Sequence, residues 1–204
     1  MYDSEIRQLE KSLTDIFIQS FNQAAQAFSQ LLMQKMVLSR YRIDMISGEQ
    51  FIEQLGDKME DGYFASIIRL PVELETVILF FLAEEEGRRL YDRLNGPTQD
   101  QSAISLDDLV SSIGELNNIL GNNFVNCLAN TLNLSIHGSV PRNTLDLLGA
   151  ILQSIILQND FADKSIFCAD ANISDKKSTA FNVRLVILSD KEKLMQVISQ
   201  PEAQ

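Results

Sequence analysis

The chain has 204 residues, 45% of them apolar and 22% charged, which is enough for one sizeable core and argues against disorder. Its formal net charge of −11 is repelled by phosphate backbones and anionic membrane surfaces, so neither nucleic-acid binding nor membrane insertion is expected, and a protein partner with a basic patch is the natural counterpart. The longest apolar run, Val77 to Ala83, falls far short of the ~18 residues of a spanning helix, and no basic-then-apolar leader opens the chain, so it is expected to be cytoplasmic.

In chain order, residues 4–34 predict a long helix: Leu9, Leu13, Ile16, Phe17, Ala24, Ala27, Phe28, Leu31 and Leu32 recur at helical spacing. Residues 37–46 alternate and predict a strand, Ser47-Gly48 breaks the chain, and Phe51 to Leu55 predicts a short helix. A strand is expected from Gly62 to about Pro71, and a fully buried one from Val77 to Ala83. Glu84, Glu85 and Glu86 open a helix, where carboxylates suit the positive end of the dipole, and Asn95-Gly96-Pro97 stops it. After a polar linker, Ser105 reads as an N-cap with Asp108 three residues on. The second long helix then runs to about Asn133, with Leu109, Val110, Ile113, Leu116, Leu120, Phe124, Cys127 and Leu128 on its apolar face. A strand from Leu134 to about Val140, an apolar helix over 145–158, β-rich stretches at 164–173 and 179–189, and a short helix from Lys191 to Ser199 complete the order.

That order is one pattern written twice, which points to internal duplication. An offset of 96 places Asn22 on Asn118, Phe28 on Phe124, Leu32 on Leu128 and Ser39 on Ser135, and an offset of 106 places Leu79–Ala83 on Leu185–Ser189. Two halves, about 1–97 and 105–200, can pair their strands into one sheet, so residues 1–204 are expected to form a single domain.

Each long helix carries a polar stripe opposite its apolar face. In the second it is Ser111, Glu115, Asn118, Asn122 and Asn126; in the first it is Asp15, Gln19, Asn22, Gln26 and Gln30. Most such stripes are solvated helix faces. This one is poor in Lys and rich in Asn, a mediocre helix former, and a carboxylate and a carboxamide three apart point at one spot in space. Gly114 and Gly121 lie seven apart in the same helix, either for close approach of a partner backbone or for close packing on the sheet. Cys127 and Cys168 read as small buried hydrophobes with no zinc ligand set around them, and His137 reads as a strand-surface residue with no nucleophile motif.

The spacing of Ser111, Glu115, Asn118 and Pro141, with 22 residues from Ile119 to Val140, resembles the signature of the CheC, CheX and FliY chemotaxis phosphatases. The resemblance extends through the element order over essentially the whole chain. It implies an α+β fold: a CheC-like internal duplication of two pseudo-symmetric αβ(α)ββα halves sharing one largely antiparallel sheet, with two long helices on one face. It also implies a phosphatase that hydrolyses the aspartyl-phosphate of a CheY-like response regulator. By the same resemblance Asn118 orients the attacking water, Glu115 pairs with a regulator lysine, and Ser111 and Pro141 shape the helix and the strand behind it. The Mg²⁺ belongs to the partner, so no metal or cofactor of the chain's own is expected.

The first half departs from that signature. Asp15 and Asn22 match it under the offset of 96, but Gln19 stands where Glu is expected and Met45 where Pro is expected. One competent site (Glu115/Asn118) and one weak or vestigial site (Asp15, Gln19, Asn22) follow. The alternative is a non-catalytic binding module or adaptor for a response regulator, the deamidase CheD or a flagellar-switch protein. The apolar helix from Leu145 to Leu157 is either core packing or, by resemblance, a CheD docking surface.

Overall fold

Thr76–Ala83 and Asn182–Asp190 lie side by side at the middle of the fold, where most of their described side chains are buried. The computed structural model describes residues 2–71, 73–96, 104–175 and 182–199. Its elements are α1 (Tyr2–Leu32), β1 (Met36–Ser47), α2 (Gly48–Glu53), a 3-10 turn (Gly56–Glu60), β2 (Gly62–Arg69), β3 (Thr76–Ala83), α3 (Glu84–Asn95), α4 (Leu106–Leu132), β4 (Arg142–Leu147), α5 (Leu148–Gln158), β5 (Ser165–Asp175), β6 (Asn182–Asp190) and α6 (Lys191–Ser199). The strands form one six-stranded antiparallel sheet in the order β1-β5-β6-β3-β2-β4. The order is unchanged when β1, β2 and β3 are exchanged with β4, β5 and β6, as a pseudo-twofold axis through the central pair Leu79 and Val186 requires. The α+β, internally duplicated fold expected from the sequence is the fold observed.

Alternate residues of each central strand enter different cores. Ile78, Phe80 and Leu82 of β3 meet α1 and α4, whose Phe17, Phe21, Phe28, Leu120 and Phe124 are 0–1% exposed. Phe17 stacks on Phe167 with ring centroids 4.9 Å apart, and Phe21 meets Phe124 at 5.8 Å. Val77, Leu79 and Phe81 face the opposite way, into a second core with Phe51 of α2 and Leu148, Ile151, Leu152, Ile155 and Ile156 of α5. Each buried side chain of this size contributes about 1.5–3 kcal/mol relative to exposure. Local signals start the helices. Ser47 caps α2 through a reciprocal box with Gln50, and the Ser105 hydroxyl accepts from the Asp108 N–H at 3.1 Å.

Three boundaries differ from the sequence reading, the first being the short helix expected from Phe51 to Leu55, which runs from Gly48 to Glu53 because Ser47 caps it. Residues 134–140 are not a strand; β4 begins at Arg142. The neighbouring strand β2 ends at Arg69, so little ladder remains for anything before Arg142, and Pro141 has no N–H to donate. Only Ser139 reaches Arg69, its N–H donating to the Arg69 carbonyl at 2.8 Å and its hydroxyl accepting the Arg69 N–H. The exposed His137 therefore lies on an irregular segment and not on a strand surface. The apolar helix begins at Leu148, because Leu145–Leu147 pair with Phe64–Gly62.

The duplication itself has a different register from the one read in the sequence. α1 and α4 both terminate in a left-handed residue, Met33 (φ 50°) and Asn133 (φ 52°), 100 positions apart. β1 and β4 run directly into α2 and α5 at Ser47 and Leu147, again 100 apart, opposite the first residues of β5 and β2. β3 and β6 run into α3 and α6 at Glu84 and Lys191, 107 apart. The equivalences are therefore 100 and 107 where the sequence reading had 96 and 106.

Candidate active site

A polar stripe becomes a site only if the helix shows it to solvent while burying the other side. On α4, Leu109, Ile113, Leu116, Leu120, Phe124 and Leu128 are 0–4% exposed, whereas Ser111, Glu115, Asn118, Asn122 and Asn126 are all exposed. The helical period that buries the first set presents the second. The Asn122 amide donates to Asn118 Oδ1 at 3.0 Å, which fixes the orientation of the Asn118 carboxamide and leaves a lone pair on Oδ1 and the whole NH₂ group for a partner. Glu115 makes no ion pair or hydrogen bond among the described residues, so its carboxylate is available to a cation from outside.

The helix is held close to the sheet by its glycines. A Cβ on Gly114 would stand 2.2 Å from Asn143 Nδ2, and one on Gly121 would stand 2.0 Å from Ile68 Cδ1. Both glycines are buried, so they serve packing and not the approach of a partner. Asn143 of β4, whose Oδ1 accepts from the Ser66 hydroxyl at 2.7 Å, lies under the turn of α4 that carries Glu115. Pro141, half-buried and two residues earlier, is the last residue before β4.

In the first half Asp15, Gln19 and Asn22 are exposed on α1, and the Asn22 amide donates to the helix backbone at Ile18 O, 3.0 Å away. With the halves equivalent at 100, Asn22 corresponds to Asn122, Gln19 to Ile119 and Asp15 to Glu115. The residue equivalent to Asn118 is Ile18, and that equivalent to Pro141 is Tyr41. The expected second trio thus does not stand where Ser111, Glu115 and Asn118 stand. A helical shift of four hides this difference in the sequence, because it brings each residue back to nearly the same face.

Cys127 and Cys168 are buried and free, and burial pushes the Cys168 thiol up to about 12, with the Asp170 and Asp44 carboxylates adding to the effect. No cluster of metal-ligating side chains exists among the described residues, and no helix among them is long and apolar enough to cross a membrane.

No family model matches the chain. It is 27% identical over 159 residues to the CheY-P phosphatase CheC of Bacillus subtilis, covering 75% of this chain and 74% of that one. Its fold is similar to that of Thermotoga maritima FliY, with a TM-score of 0.66 at 12% identity over 90% of each chain. It is similar to a chain of the FliM–SpeE complex from H. pylori, with a TM-score of 0.62 at 12% identity, over 93% of this chain and 91% of that one. It is similar as well to a chain of the CheX–CheY–BeF₃–Mg²⁺ complex of Borrelia burgdorferi, with a TM-score of 0.57 at 14% identity, over 86% of this chain and 98% of that one. The chain is thus similar in sequence to CheC and shares its fold with FliY and CheX.

Proposed function

We propose that this chain hydrolyses the aspartyl-phosphate of a CheY-like response regulator, with the exposed face of α4 as the docking surface. The observation that carries the reading is the pair on that face: Glu115 without an internal partner, three residues before Asn118, whose amide is oriented by Asn122. Similarity to a CheY-P phosphatase supports it. Water attacks phosphorus in line, the bond to the aspartyl oxygen breaks, and aspartate and inorganic phosphate are released. Asn118 Oδ1 accepts a hydrogen from the attacking water and so turns the oxygen lone pair toward phosphorus; this is catalysis by positioning. Glu115 pairs with a lysine of the regulator and sets the register. The chain supplies no metal, and the Mg²⁺ sits on the regulator. Ser111 and Pro141 act indirectly, through the helix face and through the strand beneath it.

A second reading, a non-catalytic adaptor for a regulator or a flagellar-switch protein, draws on the likeness to FliM. A CheD-type partner on α5 would have little apolar surface to grip, since Ile151, Leu152, Ile155 and Ile156 face the sheet and only Leu147 and Leu157 at its two ends are exposed. Decay of a phosphorylated CheY-like regulator with Mg²⁺, followed with and without this chain, separates the readings. Acceleration abolished by Asn118→Ala supports the phosphatase. Binding without acceleration, across several regulators, supports the adaptor.

A further inference from the structure

The two halves treat the second face of the sheet differently. Over β4 and β2 lies α5, eleven residues long, with its apolar side against the strands. In the first half the equivalent stretch stops being α-helical after Glu53 and continues as a turn and the short 3-10 segment containing Gly56, a poor helix residue. The sheet beneath is left open, and a cavity of about 260 Å³ forms between this stretch and β1, β5 and β6. It lies on the face opposite α4, away from Glu115 and Asn118.

The floor of this cavity is charged where the strands under α5 are apolar. Arg184 forks onto Asp170, its Nε donating to Oδ1 at 2.8 Å and its Nη2 to Oδ2 at 2.5 Å, with the two side chains only 25% and 21% exposed. The equivalent positions under α5 are Val77 of β3 and Ile67 of β2, diagonal neighbours in the same way and buried. The fold is therefore satisfied by two aliphatic side chains here, and an ion pair that gives up its water is not needed to hold the strands together. At the mouth, Arg40 and Lys58 are exposed cations without an ion pair among the described residues, and their equivalents are Val140 and Gln158. Asp44 is already engaged by Arg42, as Asp170 is by Arg184. Glu86 on the rim adds a further carboxylate. Four cations, two of them without an ion pair among the described residues, thus face three carboxylates in a chain whose net charge is −11. The local excess of free positive charge runs against the rest of the molecule.

We infer that this cavity binds a small organic anion bearing a phosphate or carboxylate group, held by Arg40 and Lys58 at the mouth over the Arg184–Asp170 floor. The volume lies just under the ~300–1,000 Å³ usual for small-molecule sites, which selects a compact ligand and excludes a dinucleotide. Tyr63, Gln54 and Asn172 in the wall supply further polar groups for orientation.

Isothermal titration of the full chain with inorganic phosphate, glycerol 3-phosphate and citrate tests this. The expected result is saturable binding of at least one of them with a Kd of about 1 mM or tighter, weakened at least ~10-fold in Arg40→Gln/Lys58→Gln. Replacing the floor pair together, Arg184→Val with Asp170→Ile, should also abolish binding while the melting temperature holds or rises. Preference for glycerol 3-phosphate or for citrate assigns the anionic group. No saturable binding of any of the three up to ~10 mM, or equal affinity in Arg40→Gln/Lys58→Gln, overturns the inference.

Discussion

At position 118 of α4 stands an asparagine held in place by Asn122; at the equivalent position of α1 stands Ile18, half-buried, with Asp15 where α4 has Glu115. On the other face of the sheet the halves diverge in the opposite sense. Helix α5 of the second half covers β2 and β4 with apolar side chains, whereas the stretch from α2 in the first half leaves an ion pair on β5 and β6, Arg184–Asp170, under an open cavity. A duplicated fold needs two copies of its core but not two copies of its surface. Here the core positions that make the halves alike, such as Phe28 and Leu128 or Met36 and Ile136, are buried in both, and the differences gather where side chains leave the core. The exposed long-helix faces and the α2/α5 layer are free to specialise because the paired strands hold the pseudo-twofold register.

The sharpest way to break this comparison is to exchange the asparagines. Asn118→Ala should slow regulator dephosphorylation by about 100-fold, the scale expected when a reacting group loses its positioning, whereas Asn22→Ala should leave the rate within about twofold. A large loss in Asn22→Ala would restore the first trio as a site. In the Asn118→Ala background, Ile18→Asn should regain part of the lost rate, because Asp15 already stands in the place of Glu115. Gln19→Glu, by contrast, should regain nothing.

Next in size is the ion pair. Asp170→Leu alone strands a mostly buried guanidinium and should destabilise by about 3 kcal/mol, less if water reaches Arg184. The double change Arg184→Val with Asp170→Ile copies the equivalent positions under α5 and should be neutral or stabilising. Chemical denaturation of the three proteins decides it, and a double variant as unstable as the single one would mean that the floor pair is structural.

Glu115→Gln should raise KM for the regulator about 10-fold with a smaller change in kcat, the cost of one charge-assisted hydrogen bond across a docking surface. A fall in kcat alone would instead place Glu115 at the reacting phosphoryl group. The smallest effect belongs to the glycine under the site. Gly114→Ala gains about 1 kcal/mol of helix propensity but drives a methyl into Asn143, 2.2 Å from its Nδ2, and disturbs the bond to Ser66. A net loss near 1 kcal/mol is expected by thermal melt, and a gain would show that Asn143 moves freely.

Much of this was legible in the residues. Val77–Ala83 reads as a strand buried on both faces because no polar residue interrupts it, and it is the centre of the sheet. Ser105 and Asp108 announce the start of α4, and Asn95-Gly96 announces the end of α3. Glu115 and Asn118 stood out because asparagine at helical spacing serves neither propensity nor core. The irregular segment 134–140 was misread as a strand because alternation is a property of the chain, whereas a strand needs a partner, and β2 ends at Arg69. The cavity left no trace either: Arg184 and Asp170 lie 14 residues apart and meet only through the pairing of β5 with β6.

The sequence by itself determined the elements, the duplication and the exposed stripe, since each follows from local chemistry: period, caps and runs. Only the tertiary structure decided the phase of the duplication. Four residues are close to one helical turn of about 3.6, so a slip of four returns an apolar face to itself, and Phe28 sits as comfortably on Phe124 as on Leu128. The ends of the helices and the pairing of β1 and β4 across the sheet remove that ambiguity, because a strand register tolerates no such slip.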